Sequence, residues 1–167
     1  MIRAALLACL LSVNLRAGRA LLECTADTAA ELARKTASGR TRELPAGGKS
    51  RVVLLDFRTA VIEGWTVEKA TLLLHIAAGA IPPRLEVAAA SFAWSESETR
   101  AHAISGSVKF HAFPVRESKM AWIEIDLDPA LLRAHGLVLR IPGNAQTTFR
   151  ARETVQFSPY LIVEGSR

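Results

Sequence analysis

Two apolar stretches decide the fold of this chain: residues 52–57, with the sequence VVLLDF, and residues 70–76, with the sequence ATLLLHI. Each is short, rich in aliphatic side chains and bounded by turn-forming residues, which is typical of strands buried in a core. Gly64 lies between them and Gly79 follows the second. The pattern predicts two core strands separated by a turn, with His75 as a buried core residue.

Shorter strand patterns continue after these two. In residues 121–127 (AWIEIDL) apolar and polar side chains alternate, so Trp122 is predicted to face away from Ile123 and Ile125. Residues 128–135 (DPALLRAH) instead predict a short helical turn capped by Asp128. The other predicted strands are residues 85–90, 108–115, 137–141, 147–151 and 160–164.

The number of short strands and the absence of long helices between them predict the fold class. Turn residues recur throughout the chain. Strands do not alternate with long helices, so the sequence gives no indication of a parallel sheet. We therefore expect an all-β, two-sheet antiparallel β-sandwich of the jelly-roll type with one short helical turn.

The first twenty residues are typical of a secretory signal peptide. A basic start at Arg3 precedes an apolar run over residues 4–15, and small residues follow up to Ala20. The run is too short to span a membrane, which takes about 20 residues; a buried N-terminal helix is the alternative. The sequence therefore predicts removal of residues 1–20 near Ala20, a secreted or periplasmic location, and one β-sandwich domain over residues 21–167, with 21–50 as a poorly defined strand and loop.

Charge and cysteine content exclude several classes of protein. The chain has 21 basic and 16 acidic residues, and removal of Arg3, Arg16 and Arg19 would leave a net charge of +2. Scattered charge of that size argues against a nucleic-acid partner. Cys24 would be the only cysteine left, so no internal disulfide is expected, and no other stretch predicts a membrane span in the mature chain.

The motifs of common enzymes are missing from the sequence. It has no nucleophile elbow, no phosphate-binding glycine loop and no histidine spacing that suits zinc. Glu96 and Glu98, with Glu153, could form a glycosidase-like pair of carboxylates, but a solvated or hydrogen-bonded loop explains them more simply. We therefore expect no enzyme activity.

Four groups of segments share their order and spacing with a known secreted family. They are residues 53–57 (VLLDF) with 67–74 (VEKATLLL), 94–99 (WSESET), 122–127 (WIEIDL) with 135–140 (HGLVLR), and 148–153 (TFRARE) with 159–163 (PYLIV). Together they resemble the DNRLRE-type domain, a jelly-roll family grouped with the carbohydrate-binding modules of secreted bacterial proteins. The resemblance implies non-catalytic sugar binding, although Ala151 stands where the family has serine.

Aromatic rings and planar polar groups are the chemistry that recognises sugars, and they give the candidate site. Trp94 lies in a polar loop with Glu96 and Thr99; its ring could instead anchor that loop to the core. Trp122 is either an exposed platform or a packing residue between strands. The complete set of candidate ligand-binding residues is Trp94, Glu96, Thr99, Trp122, Arg150, Arg152 and Glu153.

The two arginines of this set allow two interpretations. Arg150 and Arg152 could lie on one face of a strand and grip the carboxylates of an acidic sugar. Alternatively, Arg152 joins Glu153 or Glu96 in an internal network that fixes the loop, which is the interpretation that we favour.

No cofactor is predicted. Ca²⁺ could be bound through Asp27, Asp56 or Glu96, but these residues have no known metal-loop spacing. We expect an exported, non-catalytic carbohydrate-binding module, for acidic polysaccharide if both arginines contribute. The alternative is a structural or interaction domain of the cell envelope with a protein partner.

Overall fold

The structure of the protein is a computed structural model, and it describes residues 17–31, 36–37, 41–48, 50–90, 93–96, 108–132 and 135–167. Regular structure in these ranges consists of strands and single 3₁₀ turns, so the prediction of an all-β protein is confirmed. The strands are β1 (Ala17–Glu31), β2 (Thr36–Ala37), β3 (Glu43–Gly47), β4 (Arg51–Phe57), β5 (Thr66–Gly79), β6 (Arg84–Ala89), β7 (His111–Pro114), β8 (Arg116–Glu117), β9 (Trp122–Leu127), β10 (Leu137–Arg140), β11 (Gln146–Arg150) and β12 (Tyr160–Ser166).

Six of these strands close into a ring. β1 pairs with β12, β12 with β5, β5 with β11, β11 with β3, β3 with β4, and β4 with β1, all antiparallel. β10, β6 and β7 extend the sheet from β4, whereas β9 and β8 extend it from β5. The antiparallel pairing was predicted, but the ring is not a clear two-sheet sandwich.

The ring closes because each of its two longest strands, β1 and β5, pairs with one strand along its first half and with a different strand along its second half. In β1, residues 17–23 pair with β12 and residues 24–31 pair with β4, with a bulge between Cys24 and Ala26. In β5, residues 66–73 pair with β12 and residues 76–79 pair with β11. A bulge bends its strand and increases the twist, which lets one strand turn from one side of the ring to the next.

Alternation along the strands separates a core from an outer face. Leu72 and Leu74 of β5, Ile123 and Ile125 of β9, and Leu161 of β12 are fully buried. Their neighbours in sequence point away from the core, as the period of two requires. Trp122 therefore faces outward, as predicted.

Most predicted strands are confirmed, with two differences. Residues 108–115 form only the short β7, which pairs with β6 within the described residues and ends at Pro114; a proline at that point suits a sheet edge. The predicted helical turn is a single 3₁₀ turn over Pro129–Leu131, where Asp128 Oδ1 accepts a hydrogen bond from the Ala130 N–H.

The N-terminal strand reaches into the predicted signal peptide. β1 begins at Ala17, and residues 17–20 pair with residues 163–166 of β12. The signal peptide and its cleavage near Ala20 stay predictions, as does the division into residues 1–20 and 21–167. No helix in the described ranges is long and apolar enough to cross a membrane.

Candidate functional site

Three carboxylates that are distant in sequence meet beside β1. Asp27 lies in β1 just after its bulge, Glu96 lies in the loop after β6, and Glu153 lies in the 3₁₀ turn Arg152–Thr154. One carboxylate oxygen from each lies within 4.8 Å of the others. We call Asp27, Glu96 and Glu153 the carboxylate cluster.

Hydrogen bonds to backbone and to Arg152 hold the carboxylate cluster together. The Asp27 N–H donates to Glu96 Oε1 (3.2 Å), and the Arg152 N–H donates to Asp27 Oδ2 (2.6 Å). Arg152 also donates from Nε to Glu96 Oε1 (2.9 Å). Its Nη2 lies 2.8 Å from that oxygen and 3.4 Å from Glu153 Oε1. The predicted internal network of Arg152 with Glu96 and Glu153 is confirmed.

The two arginines do not share the face of a strand, so that interpretation of the sequence is wrong. β11 ends at Arg150, whose Nη1 donates to Glu43 Oε1 at 3.2 Å. The chain then turns at Ala151 into the 3₁₀ turn, which directs the Arg152 guanidinium into the carboxylate cluster. The two guanidinium groups therefore have different partners.

Burial dominates the electrostatics of the carboxylate cluster. Asp27 is fully buried, whereas the side chains of Glu96, Glu153 and Arg152 are 12%, 22% and 29% exposed. Desolvation is the main reason why the pKa of Asp27 rises from 3.8 to about 7, with Glu153 and Glu96 adding to the rise and the bond from Arg152 opposing it. Burial, with the charge of Asp27, also raises the pKa of the nearby Cys24 thiol.

Trp94 anchors the loop that carries Glu96. Its indole Nε1 donates to the carbonyl oxygen of His135 at 2.8 Å, and its ring packs against a small apolar group that includes Val52 and Val138. Gly136 follows with a φ of 80°, and a Cβ there would lie 2.1 Å from the Leu55 carbonyl oxygen, so only glycine fits. Trp94 thus anchors its loop by packing against apolar side chains, which was the alternative to a sugar-binding role in the sequence analysis.

A second group of rings lies on the outer face of the sheet. His75 of β5 and Trp122 of β9 are paired across the strands, with ring centroids 5.2 Å apart. Tyr160 of β12 lies 5.3 Å from Trp122, and Phe157 lies 4.2 Å from His75. All four side chains are partly exposed. We call His75, Trp122, Phe157 and Tyr160 the aromatic patch.

Charged side chains adjoin the aromatic patch. Arg116 of β8 forms ion pairs with Glu124 (3.2 Å) and Asp126 (3.1 Å) on the same outer face. Burial and the charge of Glu124 raise the pKa of Tyr160, and burial and the charge of Arg150 lower that of His75. Glu124 and Arg150 are therefore close enough to act on these two rings.

Sequence reasoning located these residues only in part. The prediction that His75 is a core residue is wrong, because it occupies the outer face of β5. Phe157 was not predicted; a lone ring in a loop gives no signal. Of the residues suggested for Ca²⁺, Asp27 and Glu96 meet in the cluster, but Asp56 is not part of it. Thr99 lies outside the described residues.

No known protein family matches the sequence, and no curated protein is similar to it. The resemblance to the DNRLRE-type domain therefore stays an expectation from the sequence.

Proposed function

We propose that the protein is a non-catalytic carbohydrate-binding module whose sugar platform is the aromatic patch. The observation that carries the proposal is the grouping of four partly exposed rings on one sheet face, drawn from three strands and one loop. Rings in this arrangement offer a rigid apolar surface on which the C–H face of a sugar can stack.

Polar groups beside the rings supply the hydrogen bonds that sugar hydroxyls need. The Glu124 carboxylate can accept a hydrogen bond, the Tyr160 hydroxyl can donate one, and the Arg116 side chain is more than half exposed. Arg116 and Arg150 could each bind a sugar carboxylate as a two-pronged donor. An acidic polysaccharide is the ligand class that we therefore favour.

The finer fold and the location belong to the same proposal. We take the closed ring of strands as a variant of the jelly-roll binding modules. The order of the segments that resemble the DNRLRE-type domain supports this assignment. Export to the cell surface or periplasm is supported by residues 1–20, whose pattern is typical of a signal peptide.

Affinity electrophoresis of the full chain through gels that contain acidic or neutral polysaccharides tests this function. We expect one polymer to retard the wild-type protein, and Trp122→Ala to weaken the retardation at least about tenfold, since an aromatic anchor typically contributes more than 1.4 kcal/mol. Trp94→Phe is the matched control and should bind as wild type. Retention of binding in a folded Trp122→Ala variant would contradict the placement of the site.

An interaction domain of the cell envelope is the second candidate function. Two of the most exposed large apolar side chains, Met120 (82%) and Val155 (86%), precede Trp122 and Phe157 by two residues each. Exposed apolar groups beside a patch of rings also suit a protein partner. A folded protein that binds no polymer in the screen would favour this function over the first.

A further inference from the structure

The carboxylate cluster has an excess of negative charge that its own residues do not balance. When ionised, Asp27, Glu96 and Glu153 carry three negative charges, and within the described part of the chain Arg152 supplies one positive charge that contacts them. Negative charge left uncompensated in a poorly solvated place is strongly unfavourable. Such a place requires protons or a cation.

Oxygen atoms in the cluster are also left without hydrogen-bond partners. Asp27 Oδ2 is occupied by the Arg152 N–H, but Oδ1 of this fully buried residue accepts no hydrogen bond within the described part of the chain. The same holds for Glu153 Oε1 and Oε2, although Oε1 is 3.4 Å from Arg152 Nη2. Buried polar atoms are nearly always satisfied, so unpartnered ones point to a bound species.

The donors determine which ion suits the cluster. All three groups offer carboxylate oxygens, which are hard ligands that Ca²⁺ and Mg²⁺ prefer to soft metals. Ca²⁺ accepts six to eight oxygens in flexible geometry and binds carboxylates through both oxygens, which suits Glu153, whose two oxygens accept no hydrogen bond in the described part of the chain. Mg²⁺ demands a strict octahedron and retains its waters, which suits a buried cluster less well.

We propose that the carboxylate cluster binds one Ca²⁺ ion through Asp27, Glu96 and Glu153. The ion would join β1, the loop after β6 and the turn after β11. Hydrogen bonds already link Asp27 to Glu96, 69 residues away, and to Arg152, 125 residues away. None of the ion's three proposed ligands belongs to the aromatic patch.

Thermal unfolding of the full, metal-free chain at pH 8 tests the proposal. With 10 mM CaCl₂ we expect Tm to rise by roughly 5–10 °C relative to NaCl of equal ionic strength, as for an ion at about 100 times its Kd. An equal concentration of MgCl₂ should give a smaller rise. No shift with Ca²⁺ would overturn the proposal.

Two variants locate the ion. Glu153→Gln should weaken Ca²⁺ binding at least about tenfold, whereas Glu124→Gln, which removes a carboxylate from the outer face, should leave it unchanged. A Tm shift that persists in Glu153→Gln would place the ion elsewhere and overturn the proposal.

Terbium luminescence gives a readout that does not depend on stability. Tb³⁺ in the cluster should emit when tryptophan is excited, because Trp94 precedes Glu96 by two residues. Excess Ca²⁺ should displace Tb³⁺ and so remove the emission. Trp94→Phe should remove most of this emission, and Trp122→Phe should not. The opposite result would exclude the cluster as the ion site even if Glu153→Gln did not fold.

Discussion

The carboxylate cluster and the aromatic patch differ in chemistry and in burial. The carboxylate cluster collects charges from three distant segments in a mostly buried place, so each group depends on the others for its hydrogen bonds. The aromatic patch collects rings from neighbouring strands at the surface, where they touch each other and remain partly exposed. Buried charge is unfavourable without partners and exposed rings are not, so the cluster should govern stability while the patch remains free for a ligand.

The largest effect on stability should come from removing the cation of the cluster. Arg152→Ala leaves Glu96 and Glu153 without their guanidinium partner beside the buried Asp27, and we expect it to lower the free energy of unfolding by about 3–5 kcal/mol. Arg116→Ala is the control, because it breaks two solvent-exposed ion pairs on the outer face and should lower that energy by no more than about 1 kcal/mol. Urea unfolding measures both. Equal losses would mean that the cluster contributes no more than a surface pair.

A smaller effect should appear in the pH dependence of stability. The folded pKa of Asp27, about 7, exceeds the usual 3.8, so the folded state holds a proton that the unfolded chain has lost between these values. Without metal, the wild type should therefore lose stability as pH rises from about 4 to above 7, by up to roughly 4 kcal/mol from this group. The charged groups that act on Asp27 are Glu153, Arg152 and Glu96, and the Cys24 thiol lies nearby.

Asp27→Asn isolates that contribution. The asparagine cannot ionise but still accepts from the Arg152 N–H, so with EDTA at pH 8 we expect a net gain of about 2–3 kcal/mol, and near pH 5 almost none. Chemical unfolding at the two pH values measures the difference. A variant that is less stable than wild type at pH 8 would show that the ionised Asp27 is well compensated.

The smallest effect should distinguish the two tryptophans. Trp94→Phe removes the hydrogen bond to the His135 carbonyl, which is partly buried, and this loss should cost about 1–2 kcal/mol. Trp122→Phe retains a ring among rings and should change stability by less than about 0.5 kcal/mol. If Trp122→Phe were the more destabilising change, the patch would be a packing device between strands.

The strands were predictable because their signals are local. The apolar run in residues 52–57 and the alternation in residues 121–127 require only neighbouring residues, and both appear as β4 and β9. The outward direction of Trp122 follows from the same alternation. His75 was misplaced because it stands in a largely apolar strand, where an exposed position gives no signal.

The ring and the carboxylate cluster depend on contacts between distant residues. No glycine or proline near Cys24 indicates the bulge at which β1 changes its partner from β12 to β4. Asp27 reads as one acidic residue in a strand until Glu96 and Arg152, far along the chain, are placed against it. The pairing of Arg152 with Glu153 was predictable because the two residues are adjacent in sequence.

The pairing of β1 with β12 sets a condition on how the chain acquires its structure. The edge formed by residues 17–23 is completed by residues 160–166, so the ring cannot close while the ribosome is still adding the last strand. Contacts of such long sequence separation also slow folding after synthesis. Until residues 160–166 have been made, the chain presents the unpaired backbone groups of residues 17–23, an edge that can pair with another chain.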